Sequence, residues 1–106
     1  MKTISATALH TRLQEPGLPP LLLDVREPDE FNYCRIEASQ LIPMQTIPQH
    51  LNTLPKEKTI VTICHHGVRS QQVAQYLLQQ GFTDVINLTG GVHAWACDVD
   101  TSMPTY

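Results

Sequence analysis

Apolar and polar positions fall into blocks along the chain that predict strands and helices in turn. Short apolar or β-branched runs, typical of buried parallel strands, occur at Leu21–Val25, Gln40–Ile42, Thr59–Ile63 and Asp84–Leu88. Helical periodicity or helix-start signals between these runs predict helices at Ala6–Gln14, from Pro28, at Ile47–Leu54, at Ser70–Gln80 and around Trp95. Strands that alternate with helices predict an α/β fold, with a mostly parallel sheet covered by helices on both faces.

The length and charge of the chain narrow the classes of protein to consider. Its 106 residues suffice for one domain, expected over residues 1–106 with a polar tail at 97–106. A net charge of −3 offers no basic surface for nucleic acid. No apolar run reaches the roughly 20 residues that cross a bilayer, and the N-terminus lacks the apolar core of a signal peptide. We therefore expect a soluble, cytoplasmic protein that binds neither nucleic acid nor membranes.

The three cysteines differ in their sequence context. Cys34, Cys64 and Cys97 are odd in number, lie far apart and form no CxxC pair, which predicts neither disulfides nor a zinc ribbon. We expect Cys34 and Cys97 to be small core residues, as free cysteines commonly are. Cys64 directly follows a predicted buried strand and precedes the most regular predicted helix. Ligands gather at the carboxyl ends of the strands in parallel sheets, so Cys64 is the candidate nucleophile.

The loop after Cys64 has the composition of an anion-binding turn. If residues 65–70 curl around the Cys64 sulfur, their amides and the helix N-terminus form a nest that favours a thiolate. Gly67 permits the tight curl, and Arg69 adds a permanent positive charge. The thiolate is the reactive form of cysteine, and the same nest would also stabilise a persulfide.

Two stretches of the chain resemble the rhodanese sulfurtransferase family. The segment LLLDVREPDEF (Leu21–Phe31) resembles the first signature of the family. Ile60–Trp95 resembles the active-site half, with a strand, a cysteine, Gly and Arg-Ser in the loop, an amphipathic helix, Gly-Gly and Ala-Trp. The likeness runs from about Ile4 to Trp95. It implies a parallel five-stranded sheet between helices, and we expect no cofactor.

The resemblance also implies a two-step reaction. A cysteine thiolate attacks a sulfane-sulfur donor such as thiosulfate, and sulfite leaves. A thiophilic acceptor, which is a thiol, cyanide or a partner protein, then takes the sulfur from the persulfide. On this resemblance Cys64 is the nucleophile, and Asp24 and Arg26 match residues that support the loop or lie at the mouth of the site. The residues that would bind the substrate are those of the loop, namely His65, His66, Gly67, Val68, Arg69 and Ser70.

Three alternative functions remain to be weighed. Cell-cycle phosphatases of a related fold separate their cysteine and arginine by five residues, whereas four residues separate Cys64 from Arg69. The shorter loop makes a tighter anion pocket, which fits one sulfur better than a phosphate. Arsenate reduction would need a resolving thiol near Cys64, and the sequence does not place one. A non-catalytic interaction module commonly lacks the cysteine, which is present here.

Several other features are interpreted more simply. Cys64-His65-His66 suggests a metal site, but no ligand spacing elsewhere completes a tetrahedral set, so we expect no metal ion. The acidic residues Glu27, Asp29 and Glu30 are expected to be a solvated helix start. Asn87-Leu88-Thr89 fits a glycosylation pattern by chance, because it lies in a predicted strand.

The chain departs from the family pattern after Phe31. Cys34-Arg35 stands where the family usually has Gly-His, and Ala38-Ser39 stands where it has Gly-Ala. The replaced glycines predict a slightly different turn there. Arg35 is expected to be a surface residue.

Overall fold

One parallel sheet of five strands organises the computed structural model, which describes all 106 residues. The strands lie in the order β1-β5-β4-β2-β3, and every neighbouring pair is parallel. Their bounds are Lys2–Ile4 for β1, Leu21–Asp24 for β2, Gln40–Leu41 for β3, Ile60–Ile63 for β4 and Val85–Leu88 for β5. The α/β fold with a five-stranded parallel sheet is thereby confirmed.

Helices cover both faces of this sheet. They are α1 (Ala6–Leu13), α2 (Pro28–Tyr33), α3 (Val68–Gln79), α4 (Gly91–Asp98) and a 3-10 helix (Met44–His50). None of them combines the length and the apolar character needed to cross a bilayer. Two apolar clusters fill the space between the sheet and its helices, one beneath α3 and the 3-10 helix, the other beneath α1 and α4.

The central strand β4 supplies side chains to both clusters. Ile60 belongs to the cluster under α3, whereas Val61 and Ile63 belong to the cluster under α4. Successive side chains of a strand point to opposite faces, so a strand between two layers of helix is apolar throughout. The same alternation places Cys64 on the α3 side, facing the start of that helix.

Two elements differ from the sequence-based expectation. The sequence did not predict β1, because this edge strand is only three residues long and mostly exposed. The helix expected at Ile47–Leu54 is instead a 3-10 helix over Met44–His50. Pro48 lies inside it and has no amide hydrogen for an α-helical bond, which favours the tighter turns of a 3-10 helix.

Candidate active site

The Cys64 sulfur lies at the carboxyl end of β4 and is contacted by the loop that follows it. Cys64 is only 1% exposed. Its Sγ accepts a hydrogen bond from the Gly67 amide at 3.0 Å and one from the Ser70 hydroxyl at 3.3 Å. The loop therefore turns towards the sulfur, with one amide and one hydroxyl as donors rather than a full ring of amides.

Gly67 sets the direction in which the chain enters α3. Its φ of 107° is in the left-handed region that favours glycine, and a Cβ there would lie 3.3 Å from Gly90 N and from Leu88 O. The turn lets α3 begin at Val68, two residues before the predicted start. The amides of Val68 to Ser70, in the first turn of α3, have no backbone acceptor. They are thus available to an anion near the sulfur.

Asn87 on β5 holds both sulfur donors in place. Its Nδ2 donates to the Gly67 carbonyl at 3.0 Å, and its Oδ1 accepts from the Thr62 hydroxyl at 3.3 Å. Asn87 Oδ1 also lies 2.5 Å from the Ser70 hydroxyl oxygen, so it shares the single hydroxyl hydrogen of Ser70 with the Cys64 sulfur. Asn87 is buried and pairs with Thr62 across the sheet. Sequence reasoning missed this role. The available signal was a polar residue near the end of an otherwise apolar strand.

Arg69 forms an ion pair with Glu30 on α2. Its two terminal nitrogens donate to the two carboxylate oxygens of Glu30 at 2.8 and 2.9 Å. The hydrogen bond from Arg69 lowers the pKa of Glu30 to about 2, although burial opposes the shift. The expectation of a solvated acidic helix start is therefore wrong for Glu30, whose carboxylate is partly buried against Arg69. The positive charge of Arg69 is paired rather than free.

Asp24 and Arg26 form a fully buried ion pair behind the site. Arg26 Nη2 donates to Asp24 Oδ2 at 2.7 Å and to the Cys34 carbonyl at 2.6 Å. Neither side chain hydrogen-bonds to residues 64–70. They anchor the end of α2, the helix that carries Glu30 to Arg69, and Arg26 Nη1 also donates to the Tyr106 hydroxyl at 2.9 Å.

Aromatic rings gather at the mouth of the site. The His65 ring stacks on the Tyr106 ring, with centroids 3.7 Å apart and an interplanar angle of 6°. The centroid of the His66 ring lies 3.8 Å from that of His65. Burial and the neighbouring charge of His66 lower the pKa of His65. The Tyr106 hydroxyl donates to Glu30 at 2.7 Å, so the C-terminal segment packs against the site. Val68, from the same loop, is 66% exposed.

The structure also tests the expectations for the other two cysteines, for Arg35 and for the turn that follows it. Cys34 is buried as expected, but Cys97 lies exposed on α4 and is not a core residue. Arg35 is exposed, and its guanidinium lies 4.5 Å from the centre of the Phe31 ring. Ala38 has a φ of 69°, so the turn keeps a left-handed residue although no glycine occupies it.

Comparison with known proteins supports one family. A model described as Rhodanese-like domain matches residues 5–98. A protein named sulfurtransferase from Allochromatium vinosum is 42% identical over 76 residues, covering 72% of this chain and 71% of that protein. The crystal structure of a rhodanese-like domain protein from Staphylococcus aureus matches with a TM-score of 0.86 and 37% identity, covering 100% of this chain and 99% of that one.

One relative is much longer than this chain. The Rhodanese-like/PpiC domain-containing protein 12, chloroplastic, from Arabidopsis thaliana is 37% identical over 112 residues. The match covers 100% of this chain but only 38% of the plant protein.

Proposed function

The chain belongs to the rhodanese-like domain family, and on this premise we propose that it transfers sulfane sulfur from thiosulfate to a thiophilic acceptor through a persulfide on Cys64. The observation that carries the proposal is the pair of donors on the Cys64 sulfur, the Gly67 amide and the Ser70 hydroxyl. Donors fixed around one sulfur suit a reaction in which that sulfur is anionic both before and after transfer.

The first step loads sulfur onto the enzyme. The Cys64 thiolate attacks the sulfane sulfur of thiosulfate, an S–S bond forms to Cys64, and the bond to the sulfonate sulfur breaks. Sulfite leaves with the electron pair of that bond, so no oxidant or reductant is needed. We expect the unpaired amides at the start of α3 to stabilise the charge of the incoming donor and of the persulfide.

The second step unloads the enzyme. A thiolate of a small molecule or partner protein, or cyanide, attacks the outer sulfur of the persulfide. The bond between the two sulfurs breaks, and the electron pair returns to Cys64 as a thiolate. The same two donors, Gly67 and Ser70, stabilise this leaving thiolate.

The geometry disfavours the alternatives in which the loop processes an oxyanion. Both terminal nitrogens of Arg69 are engaged by Glu30, so this arginine is not free to grip a phosphate group. Arsenate reduction needs a resolving thiol, and neither Cys34 nor Cys97 contacts the Cys64 sulfur. The ordered donors on that sulfur favour a catalytic domain over an interaction module.

A sulfite-release assay tests the proposal. Reduced protein mixed with excess thiosulfate, without acceptor, should release one sulfite per chain and then stop. Cyanide added afterwards should yield thiocyanate and restore turnover. Cys64→Ser should release no sulfite, whereas the matched Cys97→Ser variant should behave as wild type. Sulfite release by Cys64→Ser, or none by the wild type, would contradict the proposal.

A further inference from the structure

Three histidines from two distant parts of the chain meet at the mouth of the site. His65 and His66 come from the loop after β4, and His93 comes from the first turn of α4. One ring nitrogen of each lies within 4.8 Å of the others. The ring centroids of His66 and His93 are 5.1 Å apart, and those of His65 and His93 are 6.2 Å apart.

Main-chain contacts fix the two segments against each other. The His93 amide donates to the His65 carbonyl at 3.1 Å, and the Val92 amide donates to the Cys64 carbonyl at 2.9 Å. Gly91 makes this approach possible, because a Cβ there would overlap the carbonyls of Cys64 and His65. The three histidines are thus brought together by the backbone and do not depend on flexible side chains alone.

One atom of the cluster lacks a partner. The Nε2 of His65 is buried and makes no hydrogen bond, and it is the only buried side-chain nitrogen or oxygen in this condition. Such atoms are rare in folded proteins, and many of them contact a bound ion or water. Arg69 is paired with Glu30, which offsets its positive charge near the cluster.

We propose that His65, His66 and His93 form a binding site for a divalent transition-metal ion of the Zn²⁺ class, with the fourth position open. Neutral imidazole is a preferred ligand of Zn²⁺, and tetrahedral coordination places ligand nitrogens about 3.3 Å apart. The ring nitrogens, which lie within 4.8 Å of one another, therefore have to move closer together when the ion binds. Metal-ligand patterns in sequence rely on short spacings, so the loop histidines alone did not reveal the site.

Calorimetric titration of the full reduced chain with Zn²⁺, in a phosphine reductant, tests the proposal. Wild type should bind one Zn²⁺ per chain. His93→Ala and the exposed His66→Ala should each weaken binding by more than about 10-fold, since loss of a supporting residue alone costs that much at metal sites. The matched control, His10→Ala on α1, should bind as wild type. Absence of binding to wild type, or undiminished binding to His93→Ala, would overturn the proposal.

Two cysteine variants identify the ligands without any measure of activity. The Cys97 sulfur lies 3.8 Å from His93 Nε2, and Cys64 precedes His65, so each thiol is a competing ligand. Cys97→Ser and Cys64→Ser should keep the Zn²⁺ affinity of wild type. Co²⁺ should give visible bands of a four-coordinate site without thiolate-to-metal charge transfer. Loss of affinity in either serine variant would overturn the three-histidine assignment. The result is independent of whether Cys64 transfers sulfur.

Discussion

Arg69 and Glu30 form a bidentate ion pair, in which the two terminal nitrogens of the guanidinium donate to the two carboxylate oxygens at 2.8 and 2.9 Å. The pair joins the first turn of α3 to α2, across the opening of the loop that follows Cys64. Planar, bidentate pairs restrict both partners more than a single contact does. Glu30 therefore sets the direction of Arg69, and the loop is held from outside as well as by Asn87 from inside.

Glu30→Gln should reduce the free energy of unfolding by about 1 kcal/mol at pH 7, the upper range for a partly exposed ion pair. The pKa of Glu30 is lowered from 4.5 to about 2 in the folded protein. A lowered pKa in the folded state gives stability that is present above the unfolded value, here 4.5, and lost as the pH falls towards about 2. The difference between wild type and Glu30→Gln in urea unfolding should therefore shrink between pH 6 and pH 2.5.

Asp29→Asn is the matched control for this change. Asp29 lies in the same turn of α2 but is exposed and forms no ion pair. The free energy of unfolding of the Asp29→Asn variant should stay within about 0.5 kcal/mol of the wild-type value, as for most surface substitutions. An equal loss in both variants would assign the effect to the helix dipole instead of to Arg69.

Asn87→Asp should disturb the site from the β5 side. The change replaces the amide that donates to the Gly67 carbonyl with a second oxygen, so this buried carbonyl keeps only the longer bond from the Gln71 amide, at 3.3 Å. We expect a loss of about 2 kcal/mol in the free energy of unfolding. Sulfite release should slow by about 10-fold or more, which corresponds to about 1.4 kcal/mol in the barrier.

Asn32→Asp makes the same chemical change at an exposed position of α2. It should leave both stability and sulfite release unchanged. If Asn87→Asp equals this control in stopped-flow and urea measurements, Asn87 does not position the sulfur donors.

Ala38→Gly should stabilise the protein. Ala38 has a φ of 69°, and a left-handed conformation costs an L-residue roughly 1–2 kcal/mol. The greater freedom of glycine in the unfolded chain offsets part of the gain, so the expected increase is about 0.5–1 kcal/mol. Ala8→Gly, at an exposed position of α1, should instead destabilise by about 1 kcal/mol. Thermal or urea unfolding that shows the same sign for both would contradict the account of this turn.

Gly91→Ala should be far more damaging than Gly81→Ala. Both glycines have positive φ, but only at Gly91 would a Cβ overlap the carbonyls of Cys64 and His65. At Gly81 the nearest atom is Lys56 Nζ, at 3.8 Å. We expect urea unfolding to show that Gly91→Ala lowers the free energy of unfolding by about 3 kcal/mol or more, and Gly81→Ala by about 1 kcal/mol. Similar losses would mean that contact between α4 and the loop is not tight.

The sequence was informative where local pattern determines structure. The apolar strands at 21–25 and 59–63, the glycine turn at Gly67 and the helix after it follow from short-range rules. The same rules place Cys64 between a strand and a helix N-terminus. Chain-local information thus predicted the fold class and the turn of the loop towards Cys64, but not the single amide donor on the sulfur or the pairing of Arg69 with Glu30.

The sequence was not informative where partners depend on strand order. Asn87 reaches Ser70 only because β5 lies beside β4 in the sheet. Glu30 reaches Arg69 only because β2, which precedes α2, lies on the other side of β4. His93 reaches the loop histidines only because α4 packs against the residues that follow β4. Contacts between residues that are far apart in the chain can be predicted only when the strand order is known, and no rule based on residue spacing gives that order.

Cys64, though almost fully buried, is the thiol proposed to receive sulfur. Peptide mass spectrometry after incubation with thiosulfate tests it directly, because the exposed Cys97 competes in the same molecule. The account predicts one added sulfur on the peptide that contains Cys64 and none on the peptides of Cys34 and Cys97. Added sulfur on Cys97 in place of Cys64, or on no cysteine at all, would contradict it.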